Sequence, residues 1–179
     1  MILFISVGSV SAQNKKFAQD TIVWHKDSLL VKDNFKAKHG GGKADALTAS
    51  ALYIHSELKG SSLLFYVEAI FSKSKSYMKE DSPYVLKHEQ GHFDITEIYA
   101  RKLRKMMTDK DFTKVKDVGE VITKMFNKMS DELNRQQGAY DEATQNGFNA
   151  ANQKVWNEKI EKDLSDMENY SASEVDIAK

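Results

Sequence analysis

The sequence has no cysteine, which excludes disulfides, thiolate zinc clusters, iron–sulfur sites and a cysteine nucleophile. It has one proline and no excess of either charge: 26 Lys+Arg stand against 26 Asp+Glu. Without a basic surplus there is no electrostatic footprint for nucleic acid or for an anionic membrane surface. No apolar run approaches the roughly 20 residues that a membrane-spanning helix needs. No repeat, low-complexity tract or interdomain linker interrupts the chain. A metal, if bound, must rest on His, Asp, Glu or backbone oxygen. The 179 residues suffice for one domain with a substantial core.

The first twelve residues, Met1 to Ala12, carry no charge and close on Val10-Ser11-Ala12 before the polar Gln13-Asn14-Lys15-Lys16. That pattern reads as the apolar core and cleavage site of a secretory signal. A mature chain starting near Gln13 is then expected to be secreted or periplasmic, with no membrane insertion after the signal is removed. Residues 171–179 show no sustained period and are expected to fray. Residues 13–170 remain as a single domain.

Between Asp20 and Phe71 the pattern is strand and turn. Thr21 to Trp24 is a short β-branched and aromatic run, and His39 to Lys43 is a glycine-rich loop without a phosphate-loop ending. Ser50 to Glu57 and Ser62 to Phe71 flank Lys59-Gly60-Ser61, the signature of a hairpin. Leu63, Phe65, Val67, Ala69 and Phe71 give the second strand a wholly apolar face.

After Asp81 the period changes from two to 3.6. Ser82 and Pro83 are the N-cap and first position of a helix predicted to reach about Met107. A second helix is predicted over about Val115 to Ala143. After a turn at Asn146-Gly147, a third uses Phe148, Ala151, Val155, Trp156, Ile160, Leu164 and Met167 as its apolar stripe. Strands followed by helices imply an α+β fold, a small antiparallel sheet from the N-terminal half packed against three long helices.

The chemistry concentrates in His88-Glu89-Gln90-Gly91-His92, an H-E-x-x-H on the first of these helices. Residues four apart on a helix share a face, so both imidazoles can reach one ion, and zinc favours such nitrogen ligands. Glu89 sits about 100° round the helix, placed to take a proton from a metal-activated water rather than to ligate. Gly91 leaves room for a close approach of other backbone. Ile95 and Tyr99 fall near the His88 direction. Asp94, Glu97 and Arg101 fall opposite, as an ion-paired face worth a few tenths of a kcal/mol per pair.

A catalytic zinc needs a third protein ligand and an open position. No histidine follows His92, so the ligand is a carboxylate or an upstream histidine. Asp141 and Glu142, at the end of the second helix, and His55, on a strand, are the candidates. His25 and His39 lie in segments with no clear placement. Tyr99 and Tyr140 are equally eligible to stabilise an oxyanion.

The run from Leu86 through His88-Glu89-Gln90-Gly91-His92-Phe93-Asp94 to Ile95, with Ala100, Arg101, Leu103 and Arg104 behind it, resembles the core of the DUF922 family, predicted secreted zinc-dependent proteases. Tyr140-Asp141-x-x-Thr144, followed by Gln153-x-x-Trp156, is similar to that family's second block. The family often reads Y-D-x-x-T-x-H-G, and Asn146 stands here in place of the histidine. The resemblance implies a zincin-like fold with Zn2+ held by His88, His92 and the matching Asp141, and with Asn146 as the position where a family ligand would be missing. It implies an exported metallopeptidase acting on a peptide or protein substrate, with Glu89 as general base. An extended substrate is expected to pair with the edge of the Ser62–Phe71 strand. The alternative is a non-catalytic exported module whose metal site is vestigial or structural.

Overall fold

The computed structural model describes residues 4–5, 17–38, 44–60 and 62–177. Within these residues, strands and three long helices follow one another as β1 (Phe4–Ile5), β2 (Thr21–Val23), β3 (Ala46–Leu47), β4 (Ser50–Lys59), β5 (Ser62–Ser72), β6 (Tyr77–Met78), α1 (Pro83–Thr108), α2 (Val118–Thr144), α3 (Ala150–Asp166) and β7 (Glu174–Asp176). The proposed signal segment, apart from Phe4–Ile5, and the His39–Lys43 loop lie outside the described residues. The architecture is α+β.

The expected hairpin forms the centre of the sheet. β4 and β5 pair antiparallel from Ser50↔Phe71 to Lys59↔Ser62. Gly60 makes the turn at φ +64°, a left-handed conformation that a glycine adopts without steric cost. Strand order is β1-β4-β5-β2, with β7 also on β5. Phe65, Val67, Ala69 and Phe71 are buried, as the alternation of β5 requires, and Leu52 and Ile54 of β4 join them. β3 and β6 form a separate two-stranded antiparallel ribbon.

Ser82 caps α1, its Oγ accepting from the Val85 N–H, and Pro83 opens the helix. α1 packs on β4 and β5 on one side and on α2 and α3 on the other. It is therefore the middle layer, and fourteen of its 26 residues are buried. Phe93 on α1 meets Phe71 of β5 with ring centroids 5.8 Å apart.

Three expectations change. Residues 174–176, expected to fray, pair antiparallel with Leu64–Tyr66, and Val175 is buried opposite Phe65. β5 is consequently central, with β4 along one edge and β2 and β7 sharing the other, so it offers no edge to a substrate. The third helix starts only at Ala150, capped by Asn149, whose side chain accepts from the Asn152 N–H. Phe148 lies before it and is 75% exposed, and Val155 is 62% exposed. The predicted stripe joined two faces: Val155 and Trp156 are about 100° apart, and the packed face runs through Gln153, Trp156, Ile160 and Leu164.

Candidate metal centre

Consecutive turns of α1 bring His88 and His92 together, with their Nε2 atoms 3.2 Å apart. Asp141, in the last turn of α2, adds Oδ1 at 3.3 Å from His88 Nε2 and 2.9 Å from His92 Nε2. Among the described residues these three form the one group of His, Asp and Glu whose donor atoms converge as metal ligands do. Three ligands about 2.0–2.2 Å from one ion in tetrahedral geometry stand about 3.3–3.5 Å from each other. The observed triangle fits a zinc-sized ion with slight expansion.

The protonation pattern of the imidazoles also points to a cation. His88 Nδ1 contacts Gln153 Oε1 at 3.0 Å, and His92 Nδ1 contacts Gln137 Oε1. The amide orientations are set elsewhere. Gln137 Nε2 donates to the His92 carbonyl and to Thr96 Oγ1, and Gln153 Nε2 donates to Tyr140 Oη and Asn157 Oδ1. Each Nδ1 therefore carries the proton and donates it to a glutamine oxygen, which leaves both Nε2 lone pairs aimed at the Asp141 carboxylate. Three electron-rich atoms in contact repel unless a cation sits among them.

The titration behaviour describes the other protonation state, in which an Nε2–H of the imidazoles donates to Asp141. Burial opposes charge on His92, but the Asp141 carboxylate outweighs it and raises the pKa. Burial alone would raise the Asp141 pKa, yet hydrogen bonds from His88 and His92 hold it well below the usual carboxylate range.

Glu89 is buried beside the cluster, and its Oε2 has no hydrogen-bond partner among the described residues. Burial pushes its pKa up, partly countered by the charge of His92. Thr48 Oγ1 donates to the Glu89 carbonyl and ties the end of the β3 segment to this turn of α1. A cleft of about 480 Å³ opens here, lined by residues 44–48 on one wall and by His88, Glu89, His92, Asp141, Asn146 and Phe148 on the other.

Tyr140 and Gly91 explain how the helices come close enough. A Cβ on Gly91 would stand 2.3 Å from Tyr140 Oη and 2.9 Å from its Cζ. The approach that Gly91 permits is thus made by a tyrosine ring rather than by backbone. That ring stacks on His88 at 4.7 Å and 18°, and its hydroxyl donates to the His88 carbonyl. Gly147, at φ +89°, backs the other side of His88, where a Cβ would approach Cγ to 3.2 Å.

Of the candidate acids and histidines among the described residues, only Asp141 converges on His88 and His92. Glu142 points to solvent. Asn146 lines the same cleft. His55 stacks on its cross-strand neighbour Tyr66, centroids 4.9 Å apart, on the sheet face opposite Leu52 and Ile54 and hence away from α1. His25 lies beside Asp27 in an exposed turn. Neither tyrosine presents its hydroxyl to the cleft: Tyr140 is fully buried with its hydroxyl committed, and Tyr99 lines a separate hollow with Ile95, Lys102 and Trp156. Sequence reasoning misses Gln137 and Gln153 as site residues because amides carry no acid–base signature. The Gln153-x-x-Trp156 motif is the only sequence signal that points to either.

Glu97 and Arg101 do pair, with Nε to Oε1 at 2.9 Å, but not at the surface. Both are 2% exposed. Glu97 Oε1 also takes Arg104 Nη1 at 2.9 Å and its Oε2 accepts from Arg104 Nη2 at 3.3 Å, so both oxygens are occupied. Asp94 accepts from Trp24 Nε1 and Gln90 Nε2 and is equally occupied.

Fold and site together define an α+β protein with a helix-borne His-His-Asp centre and an adjoining buried glutamate. Residues 73–147 match the model of DUF922, described as a bacterial protein of unknown function, which supports the family resemblance read from the His88–Ile95 string. The matched segment carries His88, Glu89, His92 and Asp141 but ends before Gln153. No curated protein and no solved structure matches the chain.

Proposed function

We propose that the protein is an exported, zinc-dependent peptidase of the zincin-like kind. The observation that carries this reading is the meeting of three electron-rich ligand atoms at 2.9–3.3 Å beside a buried glutamate oxygen that has no hydrogen-bond partner among the described residues. His88, His92 and Asp141 would hold the metal. Bound zinc would polarise the scissile carbonyl and lower the pKa of water.

The chain's own residues supply the rest of the chemistry. Glu89 Oε2 accepts the proton of the attacking water as oxygen bonds to the carbonyl carbon. It then delivers that proton to the amide nitrogen as the carbon–nitrogen bond breaks. Its raised pKa suits a group that must both take and return a proton. Gln153 and Gln137 hold the His88 and His92 rings in place.

The substrate edge is reassigned from β5 to β3. Leu47 is paired to Tyr77 of β6, and the Asp45 carbonyl accepts from the Lys79 N–H, so odd-numbered residues of this segment face β6. Alternation turns the peptide groups of Ala46 and Thr48 to the other side, toward the cleft. An extended peptide laid there would pair by strand addition, with exposed Leu47 and Phe148 to receive an apolar side chain.

Metal analysis of protein purified without a histidine tag should find close to one zinc per chain. Glu89→Gln should keep that zinc and lose hydrolysis of an unstructured protein substrate by at least about 100-fold. Protein without stoichiometric metal overturns the reading. Stoichiometric zinc without Glu89-dependent turnover would instead make the centre a structural clip between α1 and α2, the second reading that the placement of its ligands on two helices allows.

A further inference from the structure

The two imidazoles of the centre are held by neutral amides from two other helices. Ligand histidines in metal sites usually donate their second N–H to a carboxylate, a backbone carbonyl or a water. Here the partners are Gln137 of α2 and Gln153 of α3. Neither glutamine is held by its histidine alone. Gln153 is 3% exposed and also bonds Tyr140 Oη and Asn157. Gln137 lines the cleft and is pinned by the His92 carbonyl and Thr96 Oγ1. Thr96 Oγ1 in turn meets Ser50 Oγ of β4 at 2.7 Å.

We infer that Gln137 and Gln153 are the positioning residues of the metal centre, fixing each ligand histidine as the Nδ1–H tautomer without adding charge. The inference rests on the metal reading given above. A carboxylate in either place would add negative charge behind the imidazole and make its Nε2 a stronger donor. The amide gives orientation without that push. The centre then has Asp141 as its single anionic ligand, which leaves more of the cation's charge for polarising a substrate carbonyl. Gln153 lies beyond the residues that match the family model, so α3 completes the centre from outside the matched segment.

Gln137 is the better test, because it is half-buried and its replacement leaves the Gln153–Tyr140 packing in place. Zinc affinity is measured on the full chain by competition with a chromophoric chelator, and the hydrogen bond at each ring Nδ1–H by its solvent-exchange rate in 1H–15N spectra of the zinc-loaded protein. Gln137→Leu should weaken zinc about 10- to 100-fold and speed exchange of the His92 Nδ1–H while leaving that of His88. Gln137→Glu keeps the acceptor oxygen and should bind zinc at least as tightly as the wild type. Melting temperatures of the metal-free variants identify any that fail to fold, and Gln137→Met then replaces Gln137→Leu as the test of acceptor loss. Undiminished zinc affinity in a folded acceptor-less variant overturns the inference and leaves the metal reading standing, as does Gln137→Glu binding no better than Gln137→Leu. A wild type that takes up no zinc overturns both.

Discussion

At the scale of single residues, Glu89 carries the sharpest conflict between stability and chemistry. Its Oε2 is buried without a hydrogen-bond partner among the described residues, and burial raises its pKa despite the favourable charge of His92. A carboxylate with a raised folded-state pKa contributes stability while protonated, below the unfolded value near 4.3, and loses it as pH climbs through the folded value. At neutral pH the ionised group is therefore a cost to the metal-free fold. Glu89→Gln should raise the melting temperature of metal-free protein at pH 7, and the gain should shrink toward zero near pH 4. Melting curves across that range check it, and a stabilisation independent of pH would show that ionisation is not the cause. Asp141 has the opposite sign. Its lowered pKa makes its contribution present above the unfolded value near 3.9 and lost only as pH falls through the lower folded one.

At the scale of elements, the contact of α1 with α2 turns on one missing side chain. Adding a methyl at Gly91 forces the Tyr140 ring off His88, because the Cβ would overlap its hydroxyl and Cζ. Gly91→Ala should cost about 1–3 kcal/mol, as overpacking generally does, and weaken zinc binding with it. Gly138, inside α2, is exposed, and a methyl added there would meet nothing within 4 Å, so Gly138→Ala should stabilise by up to about 1 kcal/mol. Urea titrations of the two variants should move in opposite directions. The elements themselves were largely legible. The Ser82-Pro83 start, the Gly60 hairpin and the apolar face of β5 are local signals, and each appears where the sequence puts it. β7 was not, since three residues with acids at both ends gain their place only from the edge of β5. The stripe of α3 misled because Phe148, Ala151 and Val155 have helical spacing as regular as that of the face actually packed. His88, Glu89 and His92 were legible from spacing, and Asp141 from the resemblance. Gln153 carried a motif signal without a role, and Gln137 none, because their contacts with the histidines exist only once three helices pack together.

At the scale of the whole molecule, the burial of Glu97, Arg101 and Arg104 follows from the position of α1. The helical wheel correctly set Glu97 and Arg101 opposite the histidines, but in a middle layer the opposite side also faces protein. The cluster joins distant parts of the chain. Arg104 donates from Nε to the Val67 carbonyl of β5 and from Nη1 to the Tyr170 carbonyl. Arg101 Nη1 donates to the Leu164 carbonyl and to Glu168. Residues 164–171 are thereby held against α1 and lead directly into β7. Glu97 neutralises both guanidinium groups from the centre. Exposed pairs such as Glu120–Lys124 on α2 are solvated and contribute little. Removing Glu97 instead leaves buried Arg104 without a counter-charge and buried Arg101 with only the exposed Glu168, and about 3–5 kcal/mol is the usual penalty for breaking a buried pair. Glu97→Ala should therefore lower the midpoint of urea unfolding far more than Glu120→Ala, and hydrogen exchange should show β7 among the first segments to lose protection. Zinc content of the folded fraction should stay near that of the wild type, because the cluster lies across α1 from the metal ligands. A Glu97→Ala protein as stable as Glu120→Ala would mean that water reaches the two arginines and that the C-terminal strand is held by its backbone pairing alone.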